Sequence, residues 1–292
     1  MRLLVTGANG QIGWELTRSL MPLGQVIATD RRTCDLARPE TLPDIIRDAR
    51  LDVLVNAAGY TAVDKAEQEE ALATQINGAA VGALAEAARK AGALFVHYST
   101  DYVFDGAKDG PYAEDDPPGP LGAYGRSKLA GEAAAREAGG DHLVLRTSWV
   151  YAARGRNFLN TILRLARDGK ELRVVEDQVG APTWARNIAD ATAHVIRQAL
   201  EERSRGQFRS DIVHVTAAGA TSWHGFAQAA LQGACPHVPA IRAIASRDYP
   251  TAAVRPKNSL LSNGRLRERF GVALPDWRAG LALCLAELAP PT

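Results

Sequence analysis

The tightest constraint on the fold lies at residues 2–24. Arg2 to Thr6 (RLLVT) is a buried-strand pattern, and it runs straight into Gly7-Ala8-Asn9-Gly10-Gln11-Ile12-Gly13. WELTRSLMPLG then reads as a helix closing at Gly24. Glycines at 7, 10 and 13 between a strand and a helix each have a use. Gly7 allows the tight turn, Gly10 lets a pyrophosphate approach the backbone, and Gly13 lets helix and strand pack closely. The free amides at the helix start face the phosphates. A chain with this turn is set up for a parallel sheet that holds a dinucleotide at its strand ends. Gly7, Asn9, Gly10, Gln11 and Ile12 are the expected contacts.

The second strand, Gln25 to Thr29, ends at Asp30. An acid there accepts from an adenosine ribose 2′-hydroxyl, which favours NAD. Arg31 and Arg32 follow, and either can pair with a 2′-phosphate, which favours NADP. The two signals oppose each other, so the expectation is NADPH preferred with NADH also used. Asp35-Leu36, ahead of a helix at 39–49, is placed to flank the adenine. A third strand, Asp52 to Asn56, ends in Ala57-Ala58-Gly59-Tyr60-Thr61, small residues that leave room for a cofactor. Helical sequence fills 65–71 and 75–91. A fourth strand, Ala93 to Ser99, contains His97, which reads as a core histidine. It ends in Thr100-Asp101-Tyr102, a hydroxyl and an acid where a central strand would present them to a ligand. A fifth strand, His142 to Ser148, leads to Trp149. Strands and helices alternate, so the fold class is α/β, a Rossmann-like doubly wound parallel sheet.

Between the fourth and fifth strands lies LGAYGRSKLAGE, residues 121–132. The segment opens a helix, because LAGEAAAREA at its end is rich in helix formers. Tyr124 and Lys128 then share a face. A free phenol is a poor acid at neutral pH, but a nearby ammonium favours the phenolate and lowers its pKa. Tyr124 with Lys128 thus reads as a proton donor for carbonyl reduction. The spacing alone also fits an amphipathic surface helix; the strands around it decide.

Composition excludes other classes. With a net charge of +1 there is no basic excess for nucleic acid or an anionic membrane. No apolar run is long enough to cross a bilayer, and the run ahead of Gly7 is too short for a secretory signal core. Cys34, Cys235 and Cys284 are scattered without metal-ligand spacing, as in a reduced cytoplasmic protein. Past Tyr151 the pattern changes to helices at 157–169, 185–202 and 221–234 with short strands. The expected division is a cofactor-binding domain over 1–151 and a smaller substrate-binding lobe over 152–292, with parts of 185–216 returning to the first. The cationic loop 247–258 carries Arg255, expected to meet a sugar diphosphate.

Taken together, the glycine turn, NAAGYTAVDKAE at 56–67, HYSTDYVFDG at 97–106, YGRSKLAGE at 124–132, RTSWVY at 146–151, DQVGAPT at 177–183 and YPTAAVRPKNSLL at 249–261 resemble the dTDP-4-dehydrorhamnose reductase family. That family lies within the extended short-chain dehydrogenase/reductase superfamily. The resemblance implies a nucleotide-sugar substrate whose C4 ketone is reduced with NADPH. It implies Tyr124 as proton donor and Lys128 as the residue that binds the nicotinamide ribose and lowers the Tyr124 pKa. Thr100 would touch the sugar oxygen, and Asp101, Tyr102 and Trp149 would hold the deoxyhexose. Gly10, Gln11 and Ile12 would line the pyrophosphate, with Asp30, Asp35 and Leu36 at the adenosine and Gly59, Tyr60 and Thr61 at the ribose. Some members carry magnesium on acids at a dimer interface. Glu15 and Glu287 match two of those acids, but Arg186 stands at the third, which disfavours the metal and leaves a homodimer open. Two alternatives stay open: an enzyme for a different nucleotide keto sugar, and a non-catalytic NADP-binding regulatory subunit.

Overall fold

The computed structural model describes residues 1–235 and 240–288. Its centre is one parallel sheet of six strands: β1 (Arg2–Thr6), β2 (Gln25–Ala28), β3 (Val53–Asn56), β4 (Leu94–Thr100), β5 (His142–Thr147) and β6 (Asp211–His214). They lie in the order β6-β5-β4-β3-β1-β2. β3 and β4 are buried at every position, as strands covered on both faces must be, which is why they read as continuous apolar runs. The chain leaves β1 for β2 on one side and builds outward from β3 on the other. The reversal opens a crevice between the C-terminal ends of β1 and β3, the place where such sheets hold ligands. The pairing register sets Thr6 beside Asn56, and Asn56 beside His97.

One face of the sheet packs on helices Gln11–Ser19 and Ala185–Ser204, through Leu16, Leu20, Ile188 and Val195. The other packs on Leu42–Ala49 and Ala80–Lys90, through Ile46, Leu84 and Ala88. A third cluster, with Tyr151, Leu159, Trp184, Phe226 and Trp277, lies in the second half of the chain. Among the described residues no helix is long and apolar enough to cross a membrane.

Three local details differ from the sequence reading, one being that the helix expected over 65–71 is split into Val63–Ala66 and Glu70–Thr74. The expected helix at 39–49 starts as a 3-10 turn, Pro39–Thr41, and becomes α-helical only at Leu42. Pro39 and Pro43 each fit a first turn, where no backbone N–H is needed. The stretch 75–91 is not one α-helix: Gln75–Ala79 form a wider π turn ahead of Ala80–Lys90. That turn carries Asn77, whose side chain has a part in the site.

Candidate functional site

The cofactor cradle is built from backbone. Gly7 has φ +68°, a left-handed conformation, and a Cβ on it would come within 2.8 Å of the Ala58 backbone. β1 and β3 therefore approach at their ends only because residue 7 has no side chain. The Gln11–Ser19 helix starts at Gly10 with no side-chain cap and no acid in its first turn, so its amides are free for an anion. These features fit a dinucleotide pyrophosphate. Past the end of β2, Asp30 accepts from Asn9 Nδ2 at 3.0 Å and from Arg32 Nη2 at 3.0 Å, and Arg32 holds its carboxyl below the usual range. Arg31 instead reaches Asp35 at 3.6 Å and stays exposed. Leu36 is buried. Gly59 and Tyr60 are hooked in place by Asn77, whose Oδ1 accepts from the Tyr60 amide at 2.8 Å. The Tyr60 hydroxyl donates to Glu69 at 2.6 Å, which pushes the phenol up to about 12.

The helix Ala123–Glu137 sets Tyr124 and Lys128 against the end of β4. Four contacts pin it. The Ala123 amide donates to Glu67 Oε1 at 2.8 Å, an acid at the positive end of the helix. Gly125 presses on the Tyr102 carbonyl, where a Cβ would sit 2.2 Å away. Ser127 accepts from Asn77 Nδ2 at 2.9 Å. Glu132 is paired with Arg146 at 2.6 Å and accepts from Ser99, with both charged groups almost fully buried.

Burial pushes the Tyr124 phenol well above its ordinary pKa, with the Thr100 hydroxyl acting against it and Asp101 and Tyr102 adding to it. Lys128 does not draw the phenol down in this geometry. Its ammonium donates to the Tyr98 carbonyl and meets His97 Nε2 at 3.3 Å. Burial lowers Lys128 to about 8, with Glu132 opposing. Thr100 donates to Asp101 Oδ1 at 3.0 Å and accepts from the Tyr102 amide at 3.2 Å. The Tyr102 ring meets Tyr124 edge-on, centroids 5.5 Å apart. Thr100, Asp101, Tyr102, Tyr124 and Lys128 therefore form one group beside the cofactor crevice.

Trp149 and Arg255 have partners the sequence did not suggest. Trp149 has φ +49° and stacks on Trp223 at 3.6 Å, while Gly180 lies against its ring. One of its aromatic faces is thus covered by protein. Arg255 pairs with Asp64 at 2.8 Å and reaches the Tyr102 hydroxyl at 3.4 Å, tying the 247–258 loop across to the site. The Arg186 guanidinium bridges Glu15 at 2.6 Å and Glu287 at 3.2 Å. A divalent ion needs oxygen ligands, and a cation already on both acids does not fit that requirement. Among the described residues no cluster of three or more His, Cys, Asp or Glu could hold a metal.

The side chains that the sequence reading missed are Asn77, Glu67, Glu132, Asp64 and the His97–Lys128 contact. All but Asn77 fall inside the motif stretches, so the motifs marked their neighbourhood without assigning a partner.

The chain matches the family described as "RmlD substrate binding domain" over residues 1–289. It is 58% identical to a dTDP-4-dehydrorhamnose reductase of Burkholderia thailandensis, covering 99% of each chain. It is 44% identical to the enzyme of that name from Escherichia coli K12, covering 100% of this chain and 99% of the other. The crystal structure of a Bacillus anthracis dTDP-4-dehydrorhamnose reductase in complex with NADP superposes with a TM-score of 0.89 at 33% identity, covering 98% of this chain and 99% of that one.

Proposed function

This chain belongs to the RmlD family, and from that premise we propose how its own residues carry out the family's reaction. The protein reduces the C4 ketone of dTDP-4-dehydro-L-rhamnose to dTDP-L-rhamnose with NADPH, as an oxidoreductase of the extended short-chain type. NADPH, when bound, supplies the hydride to C4. Gln11 and Ile12 take the pyrophosphate on backbone amides at the helix start, and Gly7 and Gly10 leave it room to approach. Arg32 offsets the charge of Asp30, which removes the repulsion a lone carboxylate would exert on a 2′-phosphate, so NADPH is preferred. Tyr124 donates the proton to the oxygen at C4, and the Thr100 hydroxyl turns its one proton from Asp101 Oδ1 to that same oxygen as negative charge develops. Lys128 binds the nicotinamide ribose and contributes a buried positive charge to the site; it sits on Tyr98 and His97 rather than on the Tyr124 hydroxyl. Asp101, Tyr102, Trp149 and Arg255 bind the nucleotide sugar. The chain works in the cytoplasm; residues 1–151, with parts of 185–216, hold the cofactor and the reacting end of the sugar, and 152–292 is mainly the substrate-binding lobe. Arg186, seated on Glu15 and Glu287, disfavours magnesium at those acids.

The observation that carries the reading is the placement of Tyr124, Lys128 and Thr100 together at the end of β4, beside the glycine turn. The test follows NADPH absorbance after addition of dTDP-4-dehydro-L-rhamnose, repeated with NADH. Rapid oxidation, faster with NADPH, is expected. Tight NADPH binding without oxidation would instead favour a different keto sugar or a non-catalytic NADP-binding role.

A further inference from the structure

His97 is wholly buried in the middle of the sheet, yet it touches the working cation of the site. Its Nδ1 lies 3.0 Å from Asn56 Nδ2. Asn56 Oδ1 lies 2.6 Å from Thr6 Oγ1, and the Ala58 amide donates to both oxygens at 3.3 Å, so Thr6 alone can satisfy it if the Asn56 amide turns over. The registers of β1, β3 and β4 set these residues side by side. A continuous polar line thus crosses the cofactor crevice, from the backbone of the 57–61 loop to Lys128.

A neutral imidazole has one donor nitrogen and one acceptor nitrogen. His97 is neutral, because burial and then the Lys128 charge hold it well below its usual pKa. A protonated Lys128 needs Nε2 as acceptor, which leaves the proton on Nδ1. That Nδ1–H must meet the Asn56 amide oxygen, with the Asn56 nitrogen turned to Thr6. The other amide orientation puts a proton on Nε2, facing the ammonium, and suits only a neutral lysine. Amide orientation is assigned from such networks, and a cationic Lys128 selects the first.

We propose that His97 is the positioning residue for Lys128: its Nε2 accepts a hydrogen bond from the ammonium, and Asn56 with Thr6 fixes the Nδ1–H tautomer that allows it. The proposal rests on the reading of Lys128 as the cation that works with Tyr124. The charged group that acts on Lys128 is Glu132 of its own helix, itself paired with Arg146 of β5. A hydrogen bond to the charged form favours that form, so His97 opposes the burial that lowers Lys128.

The test is the pH profile of NADPH-dependent turnover in His97→Leu and His97→Gln. Leu removes the acceptor, and Gln supplies an amide oxygen in its place. In His97→Leu the basic limb of kcat is expected to move down by about one pH unit or more, with KM for the sugar little changed, and to return in His97→Gln. An unmoved limb in the Leu variant, or a Gln variant that behaves like Leu, would overturn the proposal. Nitrogen NMR of the unsubstituted protein gives an answer that needs neither turnover nor a folded variant. The Nδ1–H tautomer of His97 is expected, and an Nε2–H tautomer overturns the proposal. Absent turnover in the parent chain would instead count against the reductase reading, separately from the tautomer.

Discussion

At Asp101 the fold holds a carboxyl 3% exposed, with Oδ2 lacking a hydrogen-bond partner. Burial pushes it up to about 6, with the Ser259 and Thr100 hydroxyls working against that. A carboxyl raised in the folded state contributes stability that is full below its unfolded pKa and is lost as pH rises through the folded one. The window here runs from about 4 to about 6, and a shift of about two units corresponds to ~3 kcal/mol. Asp101→Asn should therefore unfold at higher urea than the parent at pH 8, and at nearly the same urea at pH 4. Equal midpoints at pH 8 would show that the carboxyl is not strained. At Tyr124 the chemistry is separable from binding. Tyr124→Phe should lower kcat by about 10²–10⁴-fold while NADPH titrations stay unchanged, and near-normal turnover would remove Tyr124 as the proton donor. Lys128, at about 8, remains largely charged at neutral pH, so the cation expected from the sequence is there even though its contacts are with β4.

The helix that carries Tyr124 and Lys128 owes its position to small residues and a buried ion pair. Gly125→Ala would drive a methyl into the Tyr102 carbonyl, so the helix must shift. Turnover should fall more than tenfold with far-ultraviolet circular dichroism unchanged, since a small misplacement of Tyr124 is enough. Unaltered kinetics would mean the contact relaxes freely. The Glu132–Arg146 pair holds the same helix to β5, and removing one member of a pair this deeply buried costs about 3–5 kcal/mol. This helix was legible because LAGEAAAREA is a run of helix formers. The π turn at Gln75–Ala79 was not, because one extra residue in a turn leaves the apolar spacing nearly intact. The prolines at 39 and 43 displaced a helix start by a single turn for a reason the sequence does contain, the missing N–H of each ring.

Two arginines join parts of the protein that are distant in sequence. Arg186 links the glycine-turn helix, through Glu15, to the helix Trp277–Leu288, through Glu287. The guanidinium takes the place a divalent ion would need between those acids. EDTA should therefore leave both the melting temperature and the turnover of the parent chain unchanged. A loss of stability with EDTA would restore a metal at Glu15 and Glu287. Arg255 ties the 247–258 loop to Asp64, and a sugar diphosphate would compete with that carboxylate for it. Arg255→Ala should raise KM for the nucleotide sugar by about tenfold or more, with NADPH affinity kept, the loss of one charge-assisted hydrogen bond. A KM within twofold of the parent would place the diphosphate elsewhere.

The parallel sheet, the glycine turn at its switch point and the helix that presents Tyr124 and Lys128 could all be read from the residues alone. Each is written in local spacing, which short-range backbone sterics and apolar periodicity translate directly into structure. The partners could not be read that way: Lys128 with His97, Asp30 with Arg32, Trp149 with Trp223 and Arg255 with Asp64. Most of those pairs join residues far apart in the chain. Strand register and helix packing bring them within reach, and burial then sets their charge, neither of which has a local signature in the sequence.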